Sequence, residues 1–135
     1  MDKFDIWNNL KKILSKKTDT SILGNKKLFK EGEIWWASIG YNLGEEVYGK
    51  GPNFRRPIIV FRKLTSSSCI AIPLTSKIKD GNWYHKFEMD GELRFAMMHQ
   101  MRILSTVRFE SRMSTMSQKD IVALKNAVGV FYNIF

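Results

Sequence analysis

The sequence predicts a mainly β protein: a small, strongly bent antiparallel barrel with a C-terminal helix and an additional N-terminal helix. Short runs rich in β-branched and aromatic residues follow one another through the middle of the chain, separated by Gly, Asn, Asp and Ser turn signals. Apolar residues at helical spacing occur near both ends of the chain. A length of 135 residues fits one such domain and disfavours two.

The first 31 residues are predicted to form an amphipathic helix followed by a lysine-rich linker. Phe4, Trp7 and Leu14 fall near one helical stripe, and lysines lie elsewhere on the helix. Such a helix can lie on a membrane surface, but packing on its own domain is the commoner arrangement. Residues 16–30 are polar around one small apolar island, which suits a linker. We therefore expect the main domain to span residues 32–135.

Six strands are predicted after the linker, and a glycine-rich loop separates the first two. This loop, residues 41–56, contains three glycines, which are too many backbone breaks for a helix. Asp90-Gly91 is a strong signal for a two-residue hairpin. The predicted strands are EIWWASI (33–39), PIIVFRK (57–63), SCIAIPLTS (68–76), WYHKFEM (83–89), ELRFAMM (92–98) and MRILST (101–106).

A second helix is predicted at the end of the chain, in SQKDIVALKNAVGVF (117–131). Ser117 with Asp120 three residues later is typical of a helix start. The residues at helical spacing that follow are Ile121, Leu124, Val128 and Phe131. Several short strands in sequence with a helix last favour a small barrel decorated by helices.

The charge predicts a polyanionic partner. Lys and Arg total 22 against 13 Asp and Glu, a formal net charge of +9 on a small domain. Nucleic acid, an anionic membrane surface and an acidic protein segment all fit such a field. A single cysteine, Cys69, excludes an intrachain disulfide and four-thiolate zinc sites. No apolar run approaches the roughly 20 residues that span a bilayer, so we expect a cytoplasmic protein without a membrane span.

Missing motifs exclude several enzyme classes. The chain has no phosphate-cradling loop, dinucleotide fingerprint, paired-histidine zinc motif or serine nucleophile elbow. We expect no cofactor and no metal. His85 and His99 could form an acid and base pair, but unconnected histidines in strands are more often structural. Trp83 and Tyr84 could stack a base, although aromatic residues in alternating strands more often serve a core or dimer contact.

Arg55 and Arg56 mark the junction between the glycine-rich loop and the second strand. Pro57 biases Arg56 toward extended backbone and removes one ladder donor. Junctions of loop and strand are where scaffolds hold functional groups. An arginine beside a strand is nevertheless most often part of a solvated face, so the position alone leaves both interpretations open.

A series of short pieces occurs in a characteristic order: GEIWWASIG, Gly44-Glu45-Glu46, GKG, Arg56-Pro57, IIVF, IPLTS and HQMRILSTVRF. In this order they resemble the MazF/PemK family of toxin ribonucleases, from about Gly32 to the final helix. The resemblance implies an SH3-like (CcdB/MazF-type) barrel and a symmetric homodimer. It also implies sequence-selective cleavage of single-stranded RNA and inhibition by a partner antitoxin.

The resemblance assigns roles to individual residues. The family's essential arginine before proline falls on Arg56, its essential hydroxyl on Thr75, and the acidic residue of its loop on Glu46. Two departures, Glu45 and Val47, stand where many members have serine and glutamine, which puts two loop contacts to RNA in doubt. The residues expected to contact RNA are Glu45, Lys50, Arg55, Ser76, Lys77, Gln100 and Arg102.

The implied reaction is metal-independent attack of the ribose 2′-OH on the adjacent phosphorus, which leaves a 2′,3′-cyclic phosphate. Arg56 is expected to stabilise charge on the phosphoryl oxygens, and Thr75 to add one hydrogen bond. Glu46 is the candidate base; its alternative role is to order the loop or contact Arg56. An acidic, disordered antitoxin segment is expected to lie where RNA lies. The competing functions are a non-catalytic binding module and a gyrase-targeting toxin of the same fold.

Overall fold

The computed structural model describes residues 2–21 and 28–134, and in that part of the chain an antiparallel sheet carries two helices. The helices are α1 (Lys3–Ser21) and α2 (Gln118–Phe131). The strands are β1 (Glu33–Ser38), β2 (Arg55–Thr65), β3 (Ser68–Thr75), β4 (Tyr84–Met89), β5 (Glu92–Met97), β6 (Arg102–Ser105) and β7 (Phe109–Thr115). The predicted class, mainly β with two helices, is confirmed.

The sheet follows the order β4-β5-β3-β2-β1-β7. One edge of β3 pairs with β2 along its length, whereas the other is shared by β6 near Ser68 and by β5 at Leu74 and Thr75. Among the described strands, β4 and β7 do not pair with each other, so the sheet bends without closing into a complete barrel. The bend brings the end of β3 and the start of β2 to one side of the molecule.

Local signals explain the ends of the helices. Asp2 precedes α1, and its Oδ1 accepts from the Asp5 amide at 2.8 Å. The Ser117 hydroxyl accepts from the Asp120 amide at 3.1 Å, which confirms the predicted start of α2. Helix α1 continues to Ser21, five residues past the predicted start of the linker, since polar residues other than Gly and Pro do not by themselves stop a helix.

The strand predictions are confirmed in all six places, and a seventh strand was missed. Asp90 and Gly91 join β4 to β5 with φ of 53° and 82°, as a two-residue hairpin requires. Strand β7 follows β6 after one 3₁₀ turn and pairs with β1 through two register shifts. Its sequence, FESRMST, is mostly polar and has one buried residue, Phe109, so it lacks the apolar run that marked the other strands.

Two apolar cores cover the two faces of the sheet. On one face, Leu124 and Val128 of α2 pack with Ile34, Ile59 and Ile72. On the other, the buried residues include Trp35, Ile58, Val60, Cys69, Leu104 and Phe109. Burial raises the pKa of the Cys69 thiol to about 11, so this cysteine serves as a core residue at neutral pH.

A buried carboxylate ties β1 to β7. Glu33 is only 4% exposed, and it accepts hydrogen bonds from the Lys30 amide, the Trp35 indole and Arg112 at 2.8, 3.1 and 2.9 Å. Burial alone would raise the pKa of this carboxyl, but these three donors outweigh it, so the pKa lies below its ordinary value of 4.5.

We expect Glu33→Gln to lower the free energy of unfolding by about 1–3 kcal/mol at pH 7, because charged hydrogen bonds are lost. A carboxyl whose pKa is depressed in the folded state stabilises fully above the unfolded pKa and loses that contribution as the pH falls through the folded value. Urea unfolding of both proteins at pH 7 and at stepwise lower pH should therefore show the difference shrinking below pH 4.5. A difference that is constant across this range would contradict the assignment.

Candidate functional site

The start of β2 and the end of β3 enclose a cavity of about 380 Å³. The register pairs Ile58 with Pro73, and in an antiparallel ladder the same register brings Arg56 to the level of Thr75. We call this the β2–β3 cavity. Its lining residues are Trp36, Lys50, Gly51, Arg55, Arg56, Pro57, Leu74, Thr75, Ser76, Arg94 and Met113.

Arg56 bridges the glycine-rich loop and β3. Its Nε donates to the Tyr48 carbonyl at 3.0 Å, and its Nη1 donates to the Leu74 carbonyl at 3.2 Å. Burial lowers the pKa of this guanidinium from its ordinary value, although an arginine stays charged at neutral pH. Because a guanidinium carries five N–H donors in a planar fork, Arg56 is held in place and still has donors for a bound anion.

Thr75 is the last residue of β3 and is 8% exposed. Its Oγ1 accepts from the Lys77 amide at 3.2 Å, the backbone contact typical of a hydroxyl at a strand end. A hydroxyl has one hydrogen to donate as well as lone pairs to accept. The contact with Lys77 therefore orients the oxygen and leaves its hydrogen for a ligand in the β2–β3 cavity.

Lys50 lines this cavity, and Lys77 follows directly after the lining residue Ser76. The pKa of Lys50 lies below its ordinary value, chiefly because the charge of Lys77 is near, with smaller contributions from burial and from Arg56. Within residues 2–21 and 28–134, the ion pairs join Arg55 to Glu110, Arg94 to Glu92 and Arg112 to Glu33, so none neutralises these three cations. An anion in the cavity would relieve their mutual repulsion.

Arg55 is held differently from Arg56. Its guanidinium lies 4.4 Å from the centroid of the Trp36 ring and forms an ion pair with Glu110 at 3.1 Å. Asn53 also donates to Glu110, at 3.1 Å. Arg55 therefore forms part of the cavity wall, with its charge already compensated.

The remaining predicted residues lie mainly around a second cavity of about 300 Å³, which Glu46, Gln100 and Arg102 help to line. The side chain of Gln100 accepts from the Val47 amide at 3.0 Å and donates to the Glu45 carbonyl at 2.8 Å. These contacts fix the loop that precedes Lys50.

Glu46 and Arg102 also contact backbone. Oε1 of Glu46 accepts from the Leu43 amide at 3.1 Å, and Arg102 donates to the Ile39 carbonyl at 3.2 Å. Burial lowers the pKa of Arg102, and the Glu46 carboxylate partly opposes that shift. Glu46 thus lies outside the lining of the β2–β3 cavity, and the exposed Glu45 lines neither cavity.

The structure therefore groups five of the predicted residues around one cavity: Arg56, Thr75, Lys50, Arg55 and Ser76. It also adds Trp36 and Arg94, which the sequence interpretation missed. Arg94 pairs with Phe87 across the β4–β5 hairpin, while its neighbour Phe95 pairs with Thr75. No local motif marks Arg94, since only the pairing of β5 with β3 carries it to the cavity.

The two histidines lie outside the lining of the β2–β3 cavity. The ring of His99 lies 5.0 Å from the Trp83 ring and 5.2 Å from the Tyr84 ring, and burial lowers its pKa. Burial likewise lowers the pKa of His85. Trp83 is 55% exposed and lines a third cavity with α2. Across the described residues, no group of three or more His, Cys, Asp or Glu side chains is arranged to hold a metal ion.

In the described part of the chain, neither α1 nor α2 is both long and apolar enough to cross a membrane.

Comparison with known proteins adds a family match. A family described as "PemK-like, MazF-like toxin of type II toxin-antitoxin system" matches residues 30–132. No curated relative matches the chain at the sequence level.

Three solved structures are similar in fold. Toxin MazF-mt6 of Mycobacterium tuberculosis has 9% identity and a TM-score of 0.57, covering 75% of this chain and 96% of that one. A mycobacterial endoribonuclease in complex with its cognate antitoxin has 9% identity and a TM-score of 0.60, covering 81% and 97%. MazF from Deinococcus radiodurans has 17% identity and a TM-score of 0.59, covering 79% and 98%. At these identities the likeness shows a shared fold.

Proposed function

The chain belongs to the PemK-like, MazF-like toxins of type II toxin–antitoxin systems, and from that premise we propose that it is a sequence-selective, metal-independent endoribonuclease that cleaves single-stranded RNA, including mRNA. The observation that carries the proposal is the meeting of Arg56 and Thr75 in the β2–β3 cavity. A planar guanidinium and a free hydroxyl hydrogen on one wall match the oxygens of a phosphodiester. The uncompensated lysines beside them favour a polyanion.

In the proposed reaction, the ribose 2′-OH attacks the adjacent phosphorus while the bond to the 5′-oxygen breaks. Charge builds on the non-bridging phosphoryl oxygens, and Arg56 with Thr75 would stabilise it. As the 2′-OH attacks, its proton passes to solvent water, from which the proton donor of the site is later reprotonated. The 5′-oxygen must gain a proton as it leaves. We assign this proton to Lys50, because it lines the β2–β3 cavity together with Arg56 and Thr75, and a neighbouring cation lowers its pKa and so makes it a stronger acid. The products are a 2′,3′-cyclic phosphate and a free 5′-OH.

The role of Glu46 is decided by one substitution. Its carboxylate accepts from the Leu43 amide, and a glutamine oxygen can accept the same hydrogen bond. If Glu46 only orders the loop, Glu46→Gln should retain activity, with a loss well below the roughly hundredfold that removal of a general base typically causes. This is the result we expect, measured as the first-order rate of RNA cleavage. A hundredfold loss would instead assign the removal of the 2′-OH proton to Glu46.

The proposed partners follow from charge and exposed apolar area. An acidic, disordered segment of a cognate antitoxin would occupy the same cationic surface as RNA, and a similar mycobacterial endoribonuclease has been solved with its cognate antitoxin. Trp83 and Val130, 55% and 71% exposed, flank the third cavity and provide apolar surface for a homodimer contact. We propose that the protein acts in the cytoplasm, where mRNA is available.

Cleavage itself is tested by incubating the purified protein with mixed single-stranded RNA in EDTA and mapping the ends. We expect discrete cuts with 2′,3′-cyclic phosphate and 5′-OH ends at a recurring sequence. RNA that stays intact, yet binds, would favour the non-catalytic module. RNA that neither binds nor is cut would favour a toxin that acts on a protein such as a gyrase.

A further inference from the structure

An aromatic cluster joins α1 to the C-terminal end of the glycine-rich loop. Trp7 of α1 is 5% exposed, and its ring meets that of Phe54 edge-on with 5.8 Å between centroids. Tyr41 lies 6.0 Å from Phe54 and 4.7 Å from Phe4. Such aromatic contacts stabilise beyond the area they bury. Helix α1 is thus packed on the segment that leads into β2.

Phe54 closes a tight hairpin in an unfavourable backbone conformation. Lys50 and Arg55 exchange backbone hydrogen bonds of 2.9 and 3.0 Å, and between them Phe54 has a φ of 50°. A bulky residue in this left-handed region costs free energy and persists only where its surroundings hold it. The Phe54 side chain is held by the rings of Trp7 and Tyr41, within a buried cluster that also includes Leu14.

The same helix constrains the start of the loop. Gly40 lies so close to the Trp7 indole that a Cβ at this position would be 2.6 Å from a ring carbon. The amides of Ile39 and Gly40 both donate to the Phe54 carbonyl, at 3.0 and 3.2 Å. Trp7 therefore touches both ends of the loop, at Gly40 and at Phe54.

Two of the features that position Arg56 depend on this cluster, and the third, the Leu74 carbonyl, lies in β3 outside it. Phe54 is two residues before Arg56 and sets the direction in which β2 begins. The carbonyl that accepts from Arg56 Nε belongs to Tyr48, whose ring lies 5.7 Å from Tyr41. A change in the aromatic cluster would shift the guanidinium without touching it.

We propose that α1 positions the catalytic arginine, with Trp7 as a positioning residue that acts through Phe54 and Tyr41. The inference rests on the proposed function for its effect on cleavage, and it goes beyond the family match, which begins at residue 30. The first helix is then a working part of the RNA-cleaving site.

The test compares Trp7→Ala with Leu124→Ala and Trp7→Phe in the full chain. Leu124 is buried in α2 and belongs to a different apolar core from that of Trp7 and Phe54. For Trp7→Ala we expect kcat to fall about tenfold to a hundredfold, as for a misplaced catalytic group, with KM little changed. Leu124→Ala should lower thermal stability yet keep kcat, and Trp7→Phe should restore most of kcat.

Hydrogen exchange of the Lys50 and Arg55 amides separates this inference from the proposed function. These amides should exchange about threefold to tenfold faster in Trp7→Ala, the factor expected for loss of one aromatic pair, and not in Leu124→Ala. Equal effects of the two alanine variants, or unchanged hairpin exchange in Trp7→Ala, would overturn the inference. If the wild-type protein cleaves no RNA, the proposed function fails, and the exchange comparison alone still decides whether α1 positions the hairpin.

Discussion

Arg56→Ala is expected to reduce RNA cleavage by about a hundredfold or more, because it removes the donors that meet charge developing on the phosphoryl oxygens. The loss should appear mainly in kcat, since Lys50 and Lys77 continue to attract the RNA backbone. Arg56→Lys should recover only part of the activity. An ammonium keeps the charge but cannot bridge Tyr48, Leu74 and a phosphate with one planar fork. Initial rates on a defined RNA with one cut site give the measurement.

The matched control for Arg56 is Arg62→Ala. Arg62 lies in the same strand, is exposed, and is absent from the lining of the β2–β3 cavity, so the charge change is identical but the site is not touched. Thermal unfolding of both variants checks that the sheet is intact. If folded Arg56→Ala cleaves RNA at the wild-type rate, the proposed site is wrong, whatever the affinity of the variant for RNA.

Thr75→Val is expected to produce the second large loss, again about a hundredfold in kcat, because one oxyanion donor disappears while the side-chain volume is kept. Thr75→Ser retains the hydroxyl and should stay within about tenfold of the wild type, a small loss beside that of removing a donor. Because the backbone amide of Lys77 loses its acceptor, Oγ1 of Thr75, the free energy of unfolding of the valine variant should also be lower by about 1 kcal/mol.

A second buried threonine provides the comparison. Thr106 is 9% exposed and lies in a 3₁₀ turn away from the β2–β3 cavity. Thr106→Val therefore shows how the same replacement changes stability and cleavage rate when the threonine is outside the site. Both variants should remain folded by circular dichroism. Equal rates for Thr75→Val and Thr75→Ser would show that the hydroxyl takes no part in cleavage.

Strand and helix positions were predictable because their signals are local. Alternating or continuous apolar runs marked β1 to β6, and a hydroxyl at Ser117 marked the start of α2. Strand β7 was missed because its mostly polar residues show no such pattern, and it is a strand only by pairing with β1. The extent of α1 was underestimated for a related reason, since the polar composition of residues 16–21 does not exclude a helix.

The candidate site was predictable only in part. Arg56 and Thr75 were singled out through the family resemblance, and both line one cavity. Glu46 was expected beside them, but its carboxylate is bound to the Leu43 amide next to a different cavity. Whether Glu46 lies at the β2–β3 cavity or at the second cavity depends on the path of residues 41–50. Backbone groups of this segment hydrogen-bond to Gln100, just before β6. Glycines permit many such paths, so composition does not select one.

Short-range pattern and composition were enough to predict the order of six strands and two helices, the positive charge and the residue types available to hold a phosphate. The folded chain was needed to show that Arg56 and Thr75 line one cavity, that Arg94 joins them, and that Trp7 packs on Phe54 beside them. These contacts could not be predicted from local pattern because they join residues far apart in the chain. Their proximity follows from strand register and side-chain packing, which are properties of the whole fold.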